Sequence, residues 1–318
     1  MSLMALAACG GGGDDDRSGI SDDTAQGYAA DAATMPVTAG TALNAATTTL
    51  QTALTTTTAA AAKAAGSEDG TGAATQATTP TTTVPCALGG SVSWVASGLP
   101  LADLLNGRLD AGETYDITYS ACATAVTGVV LDGAARLVVN AADASGLDLA
   151  TTATALTATT PQGRFVLDGR WQHQLRVSTD AAGGTTRANR FATPLAVLTS
   201  TVNTRQARYE LRDMDWTVAD TFSSSGQPVA RAHNGRLELF ASTPRRPSAT
   251  LRVATLGTLV IGSDGLAVSG GFSLVAGGDK WSVTYGATTV SIALDIGNDG
   301  STERTWTLQR LVFHGEAG

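Results

Sequence analysis

The sequence predicts an all-β protein: one large curved antiparallel sheet, or half-barrel, preceded by a single Ala/Thr-rich helix. Three observations carry that reading. From Cys86 onward, short segments alternate apolar and polar residues and are broken by Gly, Asn and Asp, the signature of half-buried strands. Asp132-Gly133, Asp168-Gly169 and Asn234-Gly235 are dipeptides that supply the positive φ angles of tight hairpin turns. Upstream, residues 41–65 are almost all Ala and Thr, with Leu43, Ala46, Leu50, Ala53, Leu54 and Ala61 at spacings of three, four and seven. That places one narrow apolar stripe along a helix.

In chain order, residues 1–9 read as the remnant of an export signal. Residues 10–40 read as a disordered acidic tether. Residues 41–65 predict a helix about 35 Å long at 1.5 Å per residue; its thin stripe would hold only when packed on something. A low-complexity spacer is the alternative. Residues 66–85 form a Thr/Gly/Pro linker, and 86–318 the antiparallel β domain. Candidate strands there are 91–95, 114–119, 128–131, 136–140, 164–167, 171–177, 207–211 and 215–219. The later ones are 236–240, 248–253, 258–261, 272–275, 281–285, 288–295 and 303–313. Gly133 and Gly169 lie 36 apart, as do Gly235 and Gly271. Two tandem meander repeats would produce this, and so would chance in a chain with 36 glycines.

Charge is unevenly placed. The chain carries −8 in 318 residues. Residues 1–85 hold eight acids and two bases, so the β domain is nearly neutral. It has no basic face to collect phosphates, which argues against nucleic-acid binding. No apolar run approaches the roughly 20 residues that cross a bilayer as a helix.

Leu6-Ala7-Ala8-Cys9 is followed by Gly10 to Gly13 and Asp14 to Asp16. An apolar stretch, two small residues, a cysteine and a polar run together resemble the lipobox of bacterial lipoproteins. The resemblance implies export, cleavage before Cys9 and acylation of that cysteine, with several acyl chains holding the protein on a membrane. Met1 to Ala8 is shorter than a full signal and has no Lys or Arg, so the leader begins upstream or has been trimmed. In that family Asp after the cysteine favours the inner membrane. Gly10 stands there, which points to the outer membrane. Once Cys9 is set aside, Cys86 and Cys122 remain as an even pair, as expected of an oxidising compartment. A bridge between them would close a loop of 36 positions, worth about 4 kcal/mol by chain entropy. Two buried thiols are the alternative.

The segment from Cys86 to Gly133 carries a second resemblance. Cys86-Ala87-Leu88-Gly89-Gly90, the acidic turn Asp110-Ala111-Gly112-Glu113, Tyr119 shortly before Cys122, and Leu131-Asp132-Gly133 look like a pattern in uncharacterised β-rich envelope lipoproteins of proteobacteria. It implies a shared fold and a disulfide. It brings no activity with it.

Site candidates are sparse. Asp295, Asp299 and Glu303 put hard oxygen ligands around a glycine turn and could hold Ca²⁺. Gly297 stands where a ligand is expected, and the flanks read as strands, so a plain hairpin tip is preferred. No other cofactor is expected. His173 alternates with Trp171, Leu175 and Val177, which reads as a hydrogen-bonded core histidine. His233 adjoins a turn, and His314 is near the terminus. Asp213 and Asp215 could form the acid/base pair of a polysaccharide hydrolase, on spacing alone. Nucleophile-elbow, zinc-protease and Walker patterns are absent from the sequence. The expectation is a non-catalytic structural or interaction module, lipid-anchored in the envelope with an unknown protein partner. A carrier of a lipid or other amphiphile in the sheet's concavity is the second reading.

Overall fold

The computed structural model describes residues 22–64, 78–124, 129–161, 163–202, 204–244, 246–262 and 266–315. The chain enters through α1 (Asp22–Ala64), a helix of 43 residues. It begins well before residue 41, so residues 22–40 are helical and not a tether. The reason is tertiary. Tyr28, Ala29, Ala30, Ala32, Met35 and Ala39 are all buried, and that burial outweighs the cost of Pro36 inside the helix. The predicted stripe is present further along, with Leu43, Ala46, Leu50, Ala53 and Leu54 at 5% exposure or less. Threonine is a poor helix former. Here Thr38, Thr47, Thr49, Thr52 and Thr56 each return a hydroxyl to the carbonyl four residues back, which satisfies the side chain within the helix.

The sheet follows. Its first strands are β1 (Thr82–Pro85), β2 (Ser91–Ser97), β3 (Thr114–Ala123), β4 (Val130–Asp143) and β5 (Gly146–Thr160). Then come β6 (Gly163–Thr179), β7 (Thr185–Val202), β8 (Arg205–Phe222), β9 (Pro228–Thr243) and β10 (Arg246–Ile261). β11 (Ala267–Ala276), β12 (Asp279–Tyr285), β13 (Thr289–Asp295) and β14 (Arg304–Gln309) complete it. Two short helices, α2 (Leu101–Leu104) and α3 (Arg310–Gly315), lie beside it. Every strand pairs antiparallel with its successor, so fourteen strands form one meander in chain order. Among the described residues β1 and β14 do not pair with each other; the sheet is open, not a closed barrel.

The Asp-Gly pairs are not hairpin turns. Asp132-Gly133 lies inside β4, Asp168-Gly169 inside β6 and Asn234-Gly235 inside β9. They mark bulges, where register slips between β3 and β4, β4 and β5, β5 and β6, and β6 and β7. Bulges kink and twist a strand, and repeated around a sheet they turn its corners. One device recurs. Ala121 and Ala155 adopt positive φ, 45° and 47°. Their freed amides donate to Asp132 Oδ1 at 2.7 Å and Asp168 Oδ1 at 2.6 Å. The 36-residue spacing is thus a spacing of two long strands: Gly133 and Gly169 sit on β4 and β6, Gly235 and Gly271 on β9 and β11.

Gly133 has φ +94°, and a Cβ there would stand 2.2 Å from the Ala155 carbonyl oxygen. Gly133→Ala is expected to cost about 1–3 kcal/mol, the range for a non-glycine residue forced into such a conformation. Gly257→Ala, in open space, is the control and should stay within about 0.5 kcal/mol. Urea titration of both variants measures this; equal midpoints would remove the bulge argument.

The curved sheet forms a trough and α1 lies in it. Buried residues of α1 and of the sheet's inner face, among them Trp94, Tyr115, Phe191, Tyr209, Trp216 and Trp281, form one continuous core. Gly40 is needed for this fit, since a Cβ there would meet the Phe191 ring at 2.8 Å. No described helix is long and apolar enough to cross a membrane.

Candidate functional site

The polar groups that bear on a site fall into four places, three of them with buried side chains and one at an exposed hairpin tip. The first fastens the start of α1. Asp31, with no exposed surface, receives Arg246 Nη2 at 2.6 Å and the Tyr209 hydroxyl at 3.1 Å. Tyr28 donates to the Pro247 carbonyl, and its ring lies 5.3 Å from the Arg246 guanidinium. Burial, reinforced by Asp31, pushes the Tyr209 hydroxyl far above its ordinary range, so it stays a donor. Further along, the Tyr119 hydroxyl donates to the Ala46 carbonyl at 2.8 Å. These contacts join helix to sheet.

The second place is Glu113 at the start of β3. Its Oε2 accepts the Asp110 amide at 2.7 Å and the Tyr115 hydroxyl at 2.8 Å. Its Oε1 is buried without a hydrogen-bond partner. Burial raises this carboxyl above its usual range, against the pull of both donors.

The third place holds the histidines. His173 is buried, as its alternation predicts. It stacks on Phe191 with centroids 4.6 Å apart, and its Nε2 is 3.1 Å from Asn189 Oδ1. His233, on β9, faces α1 across a cleft of about 190 Å³ lined by Val37, Gly40, Thr41 and Asn44 of the helix and by Asn189, Val218, Asp220 and Arg231 of the sheet. Its Nε2 is buried without a hydrogen-bond partner. Burial first, then the Arg231 guanidinium, pulls the imidazole down to about 4, with Asp220 opposing.

The sign for stability follows from linkage. A histidine kept neutral in the fold but titrating near 6.5 when unfolded contributes stability above about pH 6.5. That contribution is lost as pH falls toward 4, because the unfolded chain binds the proton first. Glu113, raised, acts in the opposite direction over the acidic part of this window. The wild type minus His233→Gln difference in unfolding free energy therefore isolates the histidine. It should fall steadily from pH 6.5 to 4 in urea titrations; a flat difference would refute the buried neutral imidazole.

The fourth place is the β13–β14 hairpin tip. Asp295 Oδ1 and Oδ2 accept the Asp299 and Gly300 amides at 2.9 and 3.1 Å, and Glu303 Oε2 accepts the Ile296 amide at 2.8 Å. Asp299 Oδ1 accepts the Ser301 amide at 2.8 Å. The three carboxylates are spent on turning the chain. They are not drawn into a metal-sized group, and no such group of three occurs among the described residues.

Asp213 and Asp215 do not face a common substrate. Asp213 sits on the β8 bulge with φ 45° and is exposed. Asp215 points to the outer face, where Arg190 grips it through Nε and Nη2 at 2.7 and 2.8 Å and holds its carboxyl below the usual range. The bulge shifts the alternation, so Leu211 and then Met214 and Trp216 turn inward. Cys86 and Cys122 are joined in a disulfide with Cα atoms 5.4 Å apart. Cys9 lies outside the described residues, as does the His314 side chain.

Sequence reasoning missed Asp31, Arg246 and the His233 cleft. Asp31 falls in the segment that reads as an acidic tether; it stands seven residues before Thr38 and fourteen before Ala45, a helical spacing, but nothing local names Arg246 as its partner.

The arrangement is a single open meander wound on a helix of its own chain. A scan against protein-family models gave no match, and neither did searches of curated proteins and of solved structures.

Proposed function

We propose that the chain is an exported envelope protein, anchored by lipid on Cys9, whose β domain works as a non-catalytic structural or interaction module. One observation carries this: the middle of the trough is occupied by α1 of the same chain. The buried polar groups at the helix start are spent on holding it there, through Asp31, Arg246, Tyr209 and Tyr28. The open ends of the sheet supply surfaces for contact. β14 is mostly exposed along Arg304–Gln309, and an exposed edge strand can be extended by another chain. A β domain near charge neutrality behind an acidic N-terminal segment suits a folded module held off a membrane.

The test is mass spectrometry of the full chain purified from its own host, with cross-linking before lysis. The expected result is an acylated Cys9 as the first residue and a cross-linked envelope protein at β14. An unmodified Cys9 thiol in that preparation would overturn the anchor, and cross-links confined to the chain itself would overturn the module.

A further inference from the structure

A row of inward-facing residues crosses five strands without a break. Leu147 on β5 pairs with Leu175 on β6, Leu175 with Asn189 on β7, Asn189 with Val218 on β8, and Val218 with His233 on β9. Cross-strand partners share a face of the sheet. This row floors two clefts on one flank of α1. The first, about 590 Å³, is lined by Leu109, Leu147, Leu175 and Val177. The second is the His233 cleft of about 190 Å³. They adjoin where Leu175 and Asn189 stand opposite each other. The opposing wall is one helix flank: Val37, Thr41 and Asn44 line the smaller cleft, Gln51 and Thr55 the larger. These five recur at spacings of four, three, seven and four, which keeps them on one side of α1 for about 27 Å.

The two ends differ in chemistry. One is aliphatic. The other ends in a rim where Arg187, Asp220 and Arg231 stand side by side on neighbouring strands. Arg231 Nε holds Asp220 at 2.5 Å, and Arg187 lies over the Phe222 ring at 5.2 Å. Arg187 and Arg231 stand there with the one carboxylate of Asp220, which Arg231 holds, leaving these three side chains at +1 in a protein whose net charge is −8. Just inside stands His233, 5% exposed, its Nε2 without a partner. A buried polar group left unpaired is costly, and a ligand atom would relieve it.

We propose that this groove binds a single-chain anionic amphiphile, a fatty carboxylate, with its chain along Leu147, Leu175 and Val177 and its carboxylate at Arg187, Arg231 and His233. Sites of this kind pair an apolar wall with a few placed polar groups, and guanidinium suits a carboxylate. The groove lies beside α1 and leaves the helix in the trough, so the proposal stands or falls apart from the module reading and from the anchor.

The test uses the full chain with Cys9→Ser, so that no acyl chain of its own competes. Dodecanoate below its micelle concentration is titrated by calorimetry, and the uncharged dodecanoyl monoglyceride is the comparison. Saturable one-to-one binding of dodecanoate is expected, with the monoglyceride weaker by about tenfold, the worth of one charge-assisted contact. Arg231→Gln should weaken dodecanoate by about tenfold and leave the monoglyceride within about twofold. Thr55→Trp, at an exposed helix position, should weaken both by about tenfold by filling the aliphatic end. No saturable binding overturns the site. Binding indifferent to Thr55→Trp places it elsewhere, and equal affinity for the two heads refutes the carboxylate.

Discussion

Arg246→Ala is expected to destabilise the protein by about 3–5 kcal/mol, the cost of stranding one charge of a buried pair. Asp31 has no exposed side-chain surface and Arg246 only 9%. With the guanidinium gone, Asp31 loses its buried counter-charge while still accepting from Tyr209, in surroundings where a carboxylate is poorly solvated. The Tyr28 ring also loses the cation packed against it. Asp31→Ala should cost a similar amount by the reverse argument. The double variant Asp31→Leu, Arg246→Met should recover most of the loss, since an apolar pair of similar volume needs no compensation. Urea titration of the three variants yields a coupling energy. Single losses under about 1 kcal/mol would mean that the pair is hydrated and that α1 is held by its apolar face alone. The location of damage is also specific. The pair sits near the start of α1, so the singles should open residues 22–40 to proteolysis before the sheet melts.

That segment is where sequence reading was weakest, and the reason is physical. Residues 22–40 look like a tether because Asp22, Asp23 and Asp31 and a proline fall among small residues. What makes them helical is tertiary: the burial of Tyr28, Ala29, Ala30, Ala32, Met35 and Ala39 against the sheet, with Asp31 held by an arginine more than 200 positions away. Later in α1, Leu43, Leu50 and Leu54 spell the buried stripe themselves, and that stretch was legible. The sheet shows the same division. Strands β12 and β13 are short and free of register slips, and each was read close to its true extent, whereas of β11 only 272–275 was read, the part beyond its slip near Gly270. β6 and β8 were each read as two strands, because the chain carries Asp168-Gly169 and Asp213 at the break. On β8 the alternation truly shifts phase there. β5 was missed. Its inward residues run Leu149, Thr151, Ala153 and then Leu156, with the slip at Ala155. Alanine and threonine give little contrast on either side of it. A period-two pattern survives a bulge only if the frame may move by one residue. The ends of the candidate groove were invisible for a related reason: Leu147, Asn189 and His233 become neighbours only through register across five strands.

Removing the disulfide with Cys86→Ser, Cys122→Ser is expected to cost about 4 kcal/mol, from the freed entropy of a loop of 36 residues. The bridge lies where the sheet has little else to hold its first edge. β1 has four residues and pairs with β2 alone. Cys86 follows it directly, and Cys122 is buried just past the Ala121 bulge of β3. Between them the backbone is already tight. The Ala123 amide donates to the Gly89 carbonyl at 2.8 Å, and a Cβ on Gly90 would stand 2.0 Å from the Ala121 oxygen. Those contacts survive the substitution, so the loss should come mainly from the unfolded chain, and the variant's native spectrum should be unchanged. A fall in urea midpoint with an unaltered near-UV spectrum is the expected result. Loss of the native spectrum would show that the bridge shapes the β1–β3 edge as well as stabilising it. The same cysteines bear on the anchor. Alkylation of native, unreduced protein from its own host should label neither Cys86 nor Cys122, and reduction should add two hydrogens to the mass. With both engaged, Cys9 alone is left for acylation, and a labelled Cys9 in that sample would remove the lipid.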